Sequence, residues 1–347
     1  MEAELLPTPC AIWSQQPASA QQLQFVEQAR RQLRSILSGD DPRLILIVGP
    51  CSIHDTTAAF EYATKLQRLA REVAPFFFVV MRIYFEKART VHGWKGLLYD
   101  PFLDGSHDIA TGISRTRQLL LGLIDMQLPA ASELLDPAAA LYFQDLIAWG
   151  CIGARTVHSQ IHRQLASYLP MPVAFKNSTE GNIKAAINGI LAAALPHTYI
   201  GINVEGMVAA ISSAGNPDGH IVLRGGGEGP NYYPDRVAHA LAALSRAGVA
   251  QRLLIDCAHG NAGHCHKRQK QAFRSAIEQV VAGNNKIKGV LLESHLYAGN
   301  QAIGDSAALR YAVSITDPCM DWQSTEQLIL WAAELFASPR SFIAATG

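Results

Sequence analysis

A short apolar run at residues 253–255 ends abruptly in Asp256, Cys257 and His259, just before a glycine-rich loop. A run of this length is typical of a buried parallel strand. Imidazole and carboxylate groups at the end of such a strand can bind a metal ion or move a proton. Seven other apolar runs in the chain also end in reactive side chains. The pattern predicts an enzyme whose active site is assembled from strand ends.

Three of these runs end in or just before residues that bind divalent metal ions, namely Cys51, His259 and Glu293. In a closed barrel of eight strands the last strand lies beside the first, so these residues would come from three neighbouring strands at the end where barrel active sites lie. Thiolate, imidazole and carboxylate together predict a divalent metal site. Asp317 is the best-placed candidate for a fourth ligand. The alternative is a buried inert thiol and a hydrogen-bonded core histidine.

Other strand ends carry positive charge. Four cations would face one rim of the barrel, and more lie in the loop after the second strand: Arg82, Arg155, Lys176 and Arg224, then Lys87, Arg89 and Lys95. Buried charges of one sign require a partner of the opposite sign, and the arginine fork suits phosphate and carboxylate. The alternatives are solvated surface charges or ion pairs with Glu86 or Glu133. Beside a metal, the cations predict the joining or splitting of phosphorylated small molecules.

The elements that must position these residues alternate between strands and helices, which predicts a parallel sheet. Eight strands close a (β/α)8 TIM barrel. They are expected at residues 44–48, 76–81, 129–132, 152–154, 172–175, 220–223, 253–255 and 289–292. Residues 198–213 predict an extra β-hairpin between the fifth and sixth strands, where no good helix is expected.

An amphipathic helix is predicted at residues 19–37, ended by the Ser38 to Pro42 stretch. Its apolar face must cover either the bottom of the barrel or a partner subunit. We therefore divide the chain into an N-terminal arm and helix at residues 1–40 and a catalytic barrel at residues 41–347.

Composition excludes some classes of function. The chain has 347 residues with 29 Lys and Arg against 29 Asp and Glu, so no net charge points to nucleic acid or an anionic membrane. Six scattered cysteines show no disulfide-framework spacing, and there is no signal peptide and no apolar run of about 18 residues. Reduced thiols in the cytoplasm are expected.

Seven segments in one order resemble the signature blocks of class I 3-deoxy-D-arabino-heptulosonate 7-phosphate (DAHP) synthases of the microbial type regulated by aromatic amino acids. The resemblance extends from about Ala18 nearly to the C-terminus. The segments are GPCSIHD at 49–55, MRIYFEK at 81–87, GART at 153–156, FKN at 175–177, LRGG at 223–226, ESHL at 293–296 and SITD at 314–317.

The resemblance implies a transferase that condenses phosphoenolpyruvate, erythrose 4-phosphate and water to DAHP and phosphate, the first step of the shikimate pathway to chorismate and the aromatic amino acids. It implies one divalent metal ion held by Cys51, His259, Glu293 and Asp317. Phosphoenolpyruvate would be bound by Arg82, Lys87, Arg155, Lys176 and Arg224, and the sugar phosphate by Arg89 and Thr90. Lys87, Glu133 and His259 would be catalytic, with Glu133 acting on the attacking water and Lys87 donating a proton to the new alkoxide.

The chain also departs from the family pattern. Ala88 replaces a proline in the loop that would bind the sugar phosphate, so we expect activity with a looser loop. Where regulated relatives bind an aromatic amino acid, the chain carries apolar or bulky groups at Pro137, Ala140, Leu141, Tyr168 and Pro170. We therefore expect loss of feedback inhibition or a different effector.

Two other functions stay open at this point. One is the related octulosonate 8-phosphate synthase, which uses arabinose 5-phosphate. The other is a catalytically silent paralogue that binds or regulates a partner. The metal could be manganese, iron, cobalt or zinc, and a homodimer and a homotetramer are both compatible with the N-terminal helix.

Overall fold

The computed structural model describes residues 4–304 and 308–338. Eight parallel strands form a closed barrel. The barrel strands are β1 Leu44–Gly49, β2 Phe77–Arg82, β3 Ala130–Glu133, β4 Ile147–Ile152, β5 Val173–Lys176, β8 His220–Leu223, β9 Leu253–Asp256 and β10 Ile287–Glu293. Their order around the barrel is β1-β10-β9-β8-β5-β4-β3-β2. The predicted (β/α)8 barrel is therefore confirmed.

Helices cover the outside of the barrel because their apolar faces pack on the outward side chains of the strands. The helices are α1 Pro9–Gln15, α2 Ala20–Ser38, α3 Thr56–Glu72, α4 Ile109–Asp125, α5 Pro137–Ala140, α6 Gln160–Tyr168, α7 Ile183–Ala193, α8 Pro234–Arg246, α9 His259–Ala262, α10 Gln269–Val281 and α11 Trp322–Ala337. Several begin at a side-chain cap, as α3 does at Asp55. Where such a cap is present, it fixes the point at which the loop at the active-site rim ends and its helix begins.

Seven of the strands begin and end within two residues of the predicted positions, and the fourth does not. The prediction of a strand at residues 152–154 was wrong, since β4 ends at Ile152 and Gly153 and Ala154 lie in the following turn. Within a continuous apolar run, the sequence gives no signal for the residue at which the strand ends. The expectation that no good helix follows the fifth strand was also wrong, because α7 lies there with Ala186 and Ile190 buried.

Helix α2 closes the bottom of the barrel. Ser19 and Gln22 form a reciprocal capping box at its start, and Gly39 ends it in the left-handed conformation. Leu33 and Ile36 are fully buried and belong to the same cluster as the side chains inside the barrel, Trp149 among them. Of the two destinations left open by the sequence, the apolar face of this helix covers the barrel bottom.

The predicted hairpin is confirmed as an antiparallel pair, β6 His197–Ile202 and β7 Val208–Ser213. Helix α1 was not predicted. Its first turn contacts the hairpin, since the backbone N–H of Cys10 donates a 2.9 Å hydrogen bond to Val204 O. Within the described ranges, none of the helices has the length and apolar content needed to cross a membrane.

Candidate active site

The carboxyl ends of β1 and β10 bring three potential metal ligands together. The ligand atoms of Cys51, Glu293 and Asp317 all lie within 4.8 Å of one another. Cys51 follows β1, Glu293 is the last residue of β10, and paired register places Gly49 opposite Glu293. Cys51 Sγ lies 3.6 Å from Asp317 Oδ2. The structure therefore juxtaposes three of the four predicted ligands as closely as a shared ion requires.

His259, the fourth predicted ligand, lies beside this group. Its Nε2 atom is 3.5 Å from Glu293 Oε1, and its Nδ1 atom is 3.0 Å from Asp256 Oδ2 without the alignment of a hydrogen bond. The residue has a positive φ of 53°, an uncommon conformation for histidine. This backbone turn directs the imidazole between the two carboxylates, with Nε2 on the side of the metal ligands.

Two predicted substrate-binding cations already pair with protein carboxylates. Arg82 Nη2 donates a 2.8 Å bond to Glu293 Oε1, and Lys176 Nζ donates a 2.9 Å bond to Asp256 Oδ2. Their protein partners are therefore Glu293 and Asp256, and not the Glu86 or Glu133 named as alternatives from the sequence. Arg82 keeps one donor free, because its buried Nη1 has no hydrogen-bond partner. A substrate carboxylate could still satisfy that donor.

The remaining two predicted cations differ in exposure. Arg224 is 7% exposed and forms no salt bridge within the described part of the chain. Its backbone N–H donates to Asn177 Oδ1 at 2.8 Å, which holds the arginine at the rim. Arg155, expected to be buried, is exposed because it lies in the turn beyond β4. Its Nε donates a 2.9 Å bond to Thr90 Oγ1, which joins this turn to the loop after β2.

Lys87 contacts Cys51 at the same site. Its Nζ atom is 3.1 Å from Cys51 Sγ. Burial would lower the pKa of Lys87, but the neighbouring Cys51 and Glu293 outweigh that effect and raise it. The ammonium form is therefore the resident form at neutral pH, as a proton donor requires. Arg89 and Thr90 follow in the same loop and are exposed.

Burial and nearby charge also set the protonation of two predicted ligands. Burial, with Glu293 adding to it, raises the pKa of the Cys51 thiol to about 11. Burial would raise the pKa of Asp317 too, but Lys87 and His259 lower it overall. The site thus holds a protonated thiol beside an ionised carboxylate. A bound cation would favour the thiolate, because a coordinating thiol loses its proton.

Three residues at the site were not assigned a role from the sequence. Asp256 pairs with both Lys176 and His259, Cys319 accepts a 3.3 Å bond from the backbone N–H of Cys51, and Asn177 holds Arg224 and Asn231. The position of Asp256 at the end of an apolar run was the one signal available. The contact of Cys319 with Cys51 joins distant parts of the chain, which no local pattern reveals.

A parallel barrel that gathers thiol, imidazole and carboxylate groups beside lysine and arginine defines a TIM-barrel enzyme for small anionic substrates. The chain matches the model of the DAHP synthetase I family over residues 16–329. It belongs to that family, which confirms the resemblance inferred from the signature segments.

Named relatives agree with this assignment. The chain is 45% identical over 329 residues to the Tyr-sensitive phospho-2-dehydro-3-deoxyheptonate aldolase of Escherichia coli (strain K12), covering 94% of this chain and 92% of that protein. It is also 45% identical over 326 residues to the Phe-sensitive aldolase of the same strain, covering 94% and 93%. The solved structure of the phospho-2-dehydro-3-deoxyheptonate aldolase from Francisella tularensis SCHU S4 superposes with a TM-score of 0.94 at 40% identity, covering 96% of this chain and 97% of that one.

Proposed function

We propose that the chain is a DAHP synthase: it condenses phosphoenolpyruvate with erythrose 4-phosphate and water to give DAHP and inorganic phosphate, the first step of the shikimate pathway. A new bond joins C3 of phosphoenolpyruvate to the aldehyde carbon of the sugar, water adds to C2, and phosphate leaves. One observation carries the proposal. Cys51 Sγ lies 3.6 Å from Asp317 Oδ2 and 3.1 Å from Lys87 Nζ. A proposed metal ligand, Asp317, and a proposed proton donor, Lys87, therefore contact the same sulfur atom.

Cys51, His259, Glu293 and Asp317 would hold one divalent metal ion. The fit rests on the mutual distances of the three buried or half-buried donors and on the imidazole Nε2 that lies 3.5 Å from Glu293. A set with one sulfur, one nitrogen and two carboxylates suits manganese, iron, cobalt or zinc. When bound, the ion supplies Lewis acidity toward the aldehyde oxygen of the sugar.

Phosphoenolpyruvate would be bound by five residues on four barrel strands or the loops that follow them: Arg82, Lys87, Arg155, Lys176 and Arg224. Arg82 offers its unpartnered Nη1 atom, and Arg224 offers a guanidinium without a carboxylate partner in the described ranges. Burial lowers the pKa of Arg224 because it disfavours the charged form, and a bound anion would offset that cost. Lys176 would contribute its ammonium group, whose carboxylate partner Asp256 also lies 3.0 Å from His259 Nδ1.

Arg89 and Thr90 would bind the phosphate of the sugar at the exposed end of the loop after β2. Arg155 contributes by donating to Thr90 Oγ1, so the two phosphate regions are joined by one hydrogen bond. Glu133, at the end of β3, would position or deprotonate the water. Lys87 would donate its proton to the alkoxide that forms when the new carbon–carbon bond closes.

The test is metal-depleted enzyme given both substrates, then repleted with one metal at a time. We expect DAHP and phosphate to form in equal amounts only after repletion. Arabinose 5-phosphate in place of erythrose 4-phosphate serves as the comparison, and we expect little phosphate release with it. Phosphate release that prefers arabinose 5-phosphate, or no turnover with any metal, would contradict the proposal.

We also propose that the enzyme is a cytoplasmic homodimer or homotetramer. Six free cysteines, four of them buried, support a reducing compartment. Ile200 and Val208 on the hairpin are 86% and 78% exposed, which supports contact with a second copy through that surface. Sedimentation velocity of the wild type and of an Ile200→Ser variant tests the oligomer.

A further inference from the structure

The loop that carries Lys87, Arg89 and Thr90 is closed at its base. The backbone N–H of Lys87 donates a 2.9 Å bond to Lys95 O, and that of Leu98 donates a 3.2 Å bond to Phe85 O. Gly96 makes a close approach, since a Cβ there would lie 2.1 Å from Phe85 O. The base at residues 85–87 and 95–98 is therefore one packed unit, and its placement decides where the exposed tip reaches.

Tyr99 joins this base to the loop after β3. Its hydroxyl lies 3.2 Å from Glu86 Oε1 and 3.3 Å from Asp136 Oδ2. Glu86 Oε2 accepts a bond from Leu135 N–H at 3.3 Å, and Asp136 Oδ1 accepts a 2.8 Å bond from Ala138 N–H at the start of α5. One hydroxyl thus bridges two carboxyl groups from different barrel loops.

A count of protons explains how this bridge holds. A tyrosine hydroxyl has one hydrogen, so both carboxyl groups are satisfied only when one of them is protonated. Glu86 is 1% exposed, and burial raises its pKa to about 8. With that carboxyl protonated, Glu86 can donate to the Tyr99 oxygen, which leaves the Tyr99 hydroxyl to donate to Asp136, and Asp136 accepts from Ala138 N–H at the start of α5.

Few other charged groups face this bridge. The Lys95 ammonium lies 4.7 Å from the centre of the Tyr99 ring, and the Lys87 ammonium is turned toward Cys51. His162 contacts the Leu135 backbone, with its Nε2 atom 2.7 Å from Leu135 O. Among the residues that the structure describes, Glu86 has the hydroxyl of Tyr99 and backbone N–H groups as its direct partners.

We propose that Tyr99 is a positioning residue for the condensation: its hydroxyl, held between Glu86 and Asp136, fixes the loop that presents Arg89 and Thr90 to the sugar phosphate. The proposal rests on the proposed function. It assigns Tyr99 no contact with substrate. Deprotonation of Glu86 leaves two carboxylates competing for one hydrogen, so the bridge weakens above about pH 8.

Tyr99→Phe keeps the ring and its contact with Lys95 and removes only the bridging hydroxyl. We expect KM for erythrose 4-phosphate to rise about tenfold, as loss of one hydrogen bond to a charged group allows, while KM for phosphoenolpyruvate changes less than about twofold. Tyr297→Phe is the matched control, because Tyr297 is 57% exposed in another loop. An unchanged KM for the sugar phosphate in Tyr99→Phe would overturn the proposal.

The pH profile separates positioning from general damage. In the wild type we expect KM for erythrose 4-phosphate to rise as pH increases through about 8. Glu86→Gln cannot ionise, so the rise should disappear, and in Tyr99→Phe the KM should be high at every pH. A wild-type rise that persists unchanged in Glu86→Gln would assign it to another group and overturn this role for the bridge.

Limited trypsin digestion tests the loop without any turnover. Lys87, Arg89 and Lys95 are cleavage sites, and a loosened loop should be cut at least about fivefold faster in Tyr99→Phe than in Tyr297→Phe, since cleavage follows local opening. Equal cleavage rates would contradict the loop-fixing role. If the wild type makes no DAHP but Tyr99→Phe is still cut faster, the proposed function fails and the structural link stands.

Discussion

Gly153 lies directly against the Glu133 carboxylate: a Cβ at position 153 would be only 1.9 Å from Glu133 Oε1 and 2.7 Å from its carboxyl carbon. Gly153 follows β4, and Glu133 ends β3, the strand paired with it. Because Gly153 has no side chain, the space beside it accommodates the carboxylate of Glu133, the group proposed to activate water. No other residue type fits beside Glu133 in its present position.

Gly153→Ala should therefore displace the Glu133 carboxylate and lower kcat by about 10²-fold or more, the usual contribution of a positioned acid or base. Metal content should not change, because Glu133 is not among the proposed ligands. Steady-state kinetics and elemental analysis check both points. Gly304→Ala is the control, since no atom of residues 4–304 or 308–338 lies within 4 Å of a Cβ there. Full activity in Gly153→Ala would remove Glu133 from the mechanism.

Cys51→Ala should abolish metal-dependent turnover, and the metal retained after dialysis should fall by at least about tenfold. The reason is that Cys51 supplies the only sulfur among the proposed ligands, within 4.8 Å of the two carboxylate ligands. His259→Ala should behave alike. Cys10→Ala changes an exposed cysteine in α1 and should keep both metal and activity. Full activity of the Cys51→Ala enzyme would contradict the assignment of Cys51 as a metal ligand.

Lys87→Met should lower kcat by about 10² to 10⁴ while the enzyme still binds its metal. Methionine keeps the apolar stem but removes the ammonium that lies 3.1 Å from Cys51 Sγ. Rapid-quench measurement of the first turnover distinguishes slow chemistry from slow product release. If the variant loses metal but the rate of the chemical step is unchanged, Lys87 is not the proton donor and contributes only its positive charge to the metal site.

Much of this arrangement follows from the sequence because strand ends in a parallel barrel share one rim. Cys51, Glu293 and Asp317 could be grouped once the strands were counted. Exposure of Arg155 could not be predicted, since the end of β4 is hidden within an apolar run. The pairing of Lys176 with Asp256 was missed for another reason: it spans two strands that are not neighbours in the barrel order, so it depends on side-chain reach across the rim.

Aromatic amino acids should not inhibit this enzyme. A cavity of about 370 Å³ lies between the hairpin, α5 and α6, where the sequence predicted altered regulation. Asp136 is the one charged side chain among the described residues that line it, and Tyr168 and Leu141 add apolar bulk. The carboxylate of a free amino acid would find no cationic partner there. Assays with millimolar phenylalanine, tyrosine or tryptophan check this, and clear inhibition by any of them would contradict it.

Glu86→Gln should stabilise the folded enzyme, increasingly so as pH rises. Burial raises the folded-state pKa of Glu86 from the ordinary 4.5 to about 8. The contribution of this carboxyl to stability is therefore fully present below about pH 4.5 and is lost as pH rises to about 8, at up to about 1.4 kcal/mol per pH unit. Glutamine does not titrate, so the difference in unfolding free energy between the variant and the wild type should grow across this window and level off above it. Denaturant unfolding at pH 5, 6.5 and 8 measures it, with Glu205→Gln in the exposed hairpin turn as the control for loss of a surface charge. A difference that does not vary with pH would mean that Glu86 is ionised throughout, and the proton that the Tyr99 bridge requires would then be absent.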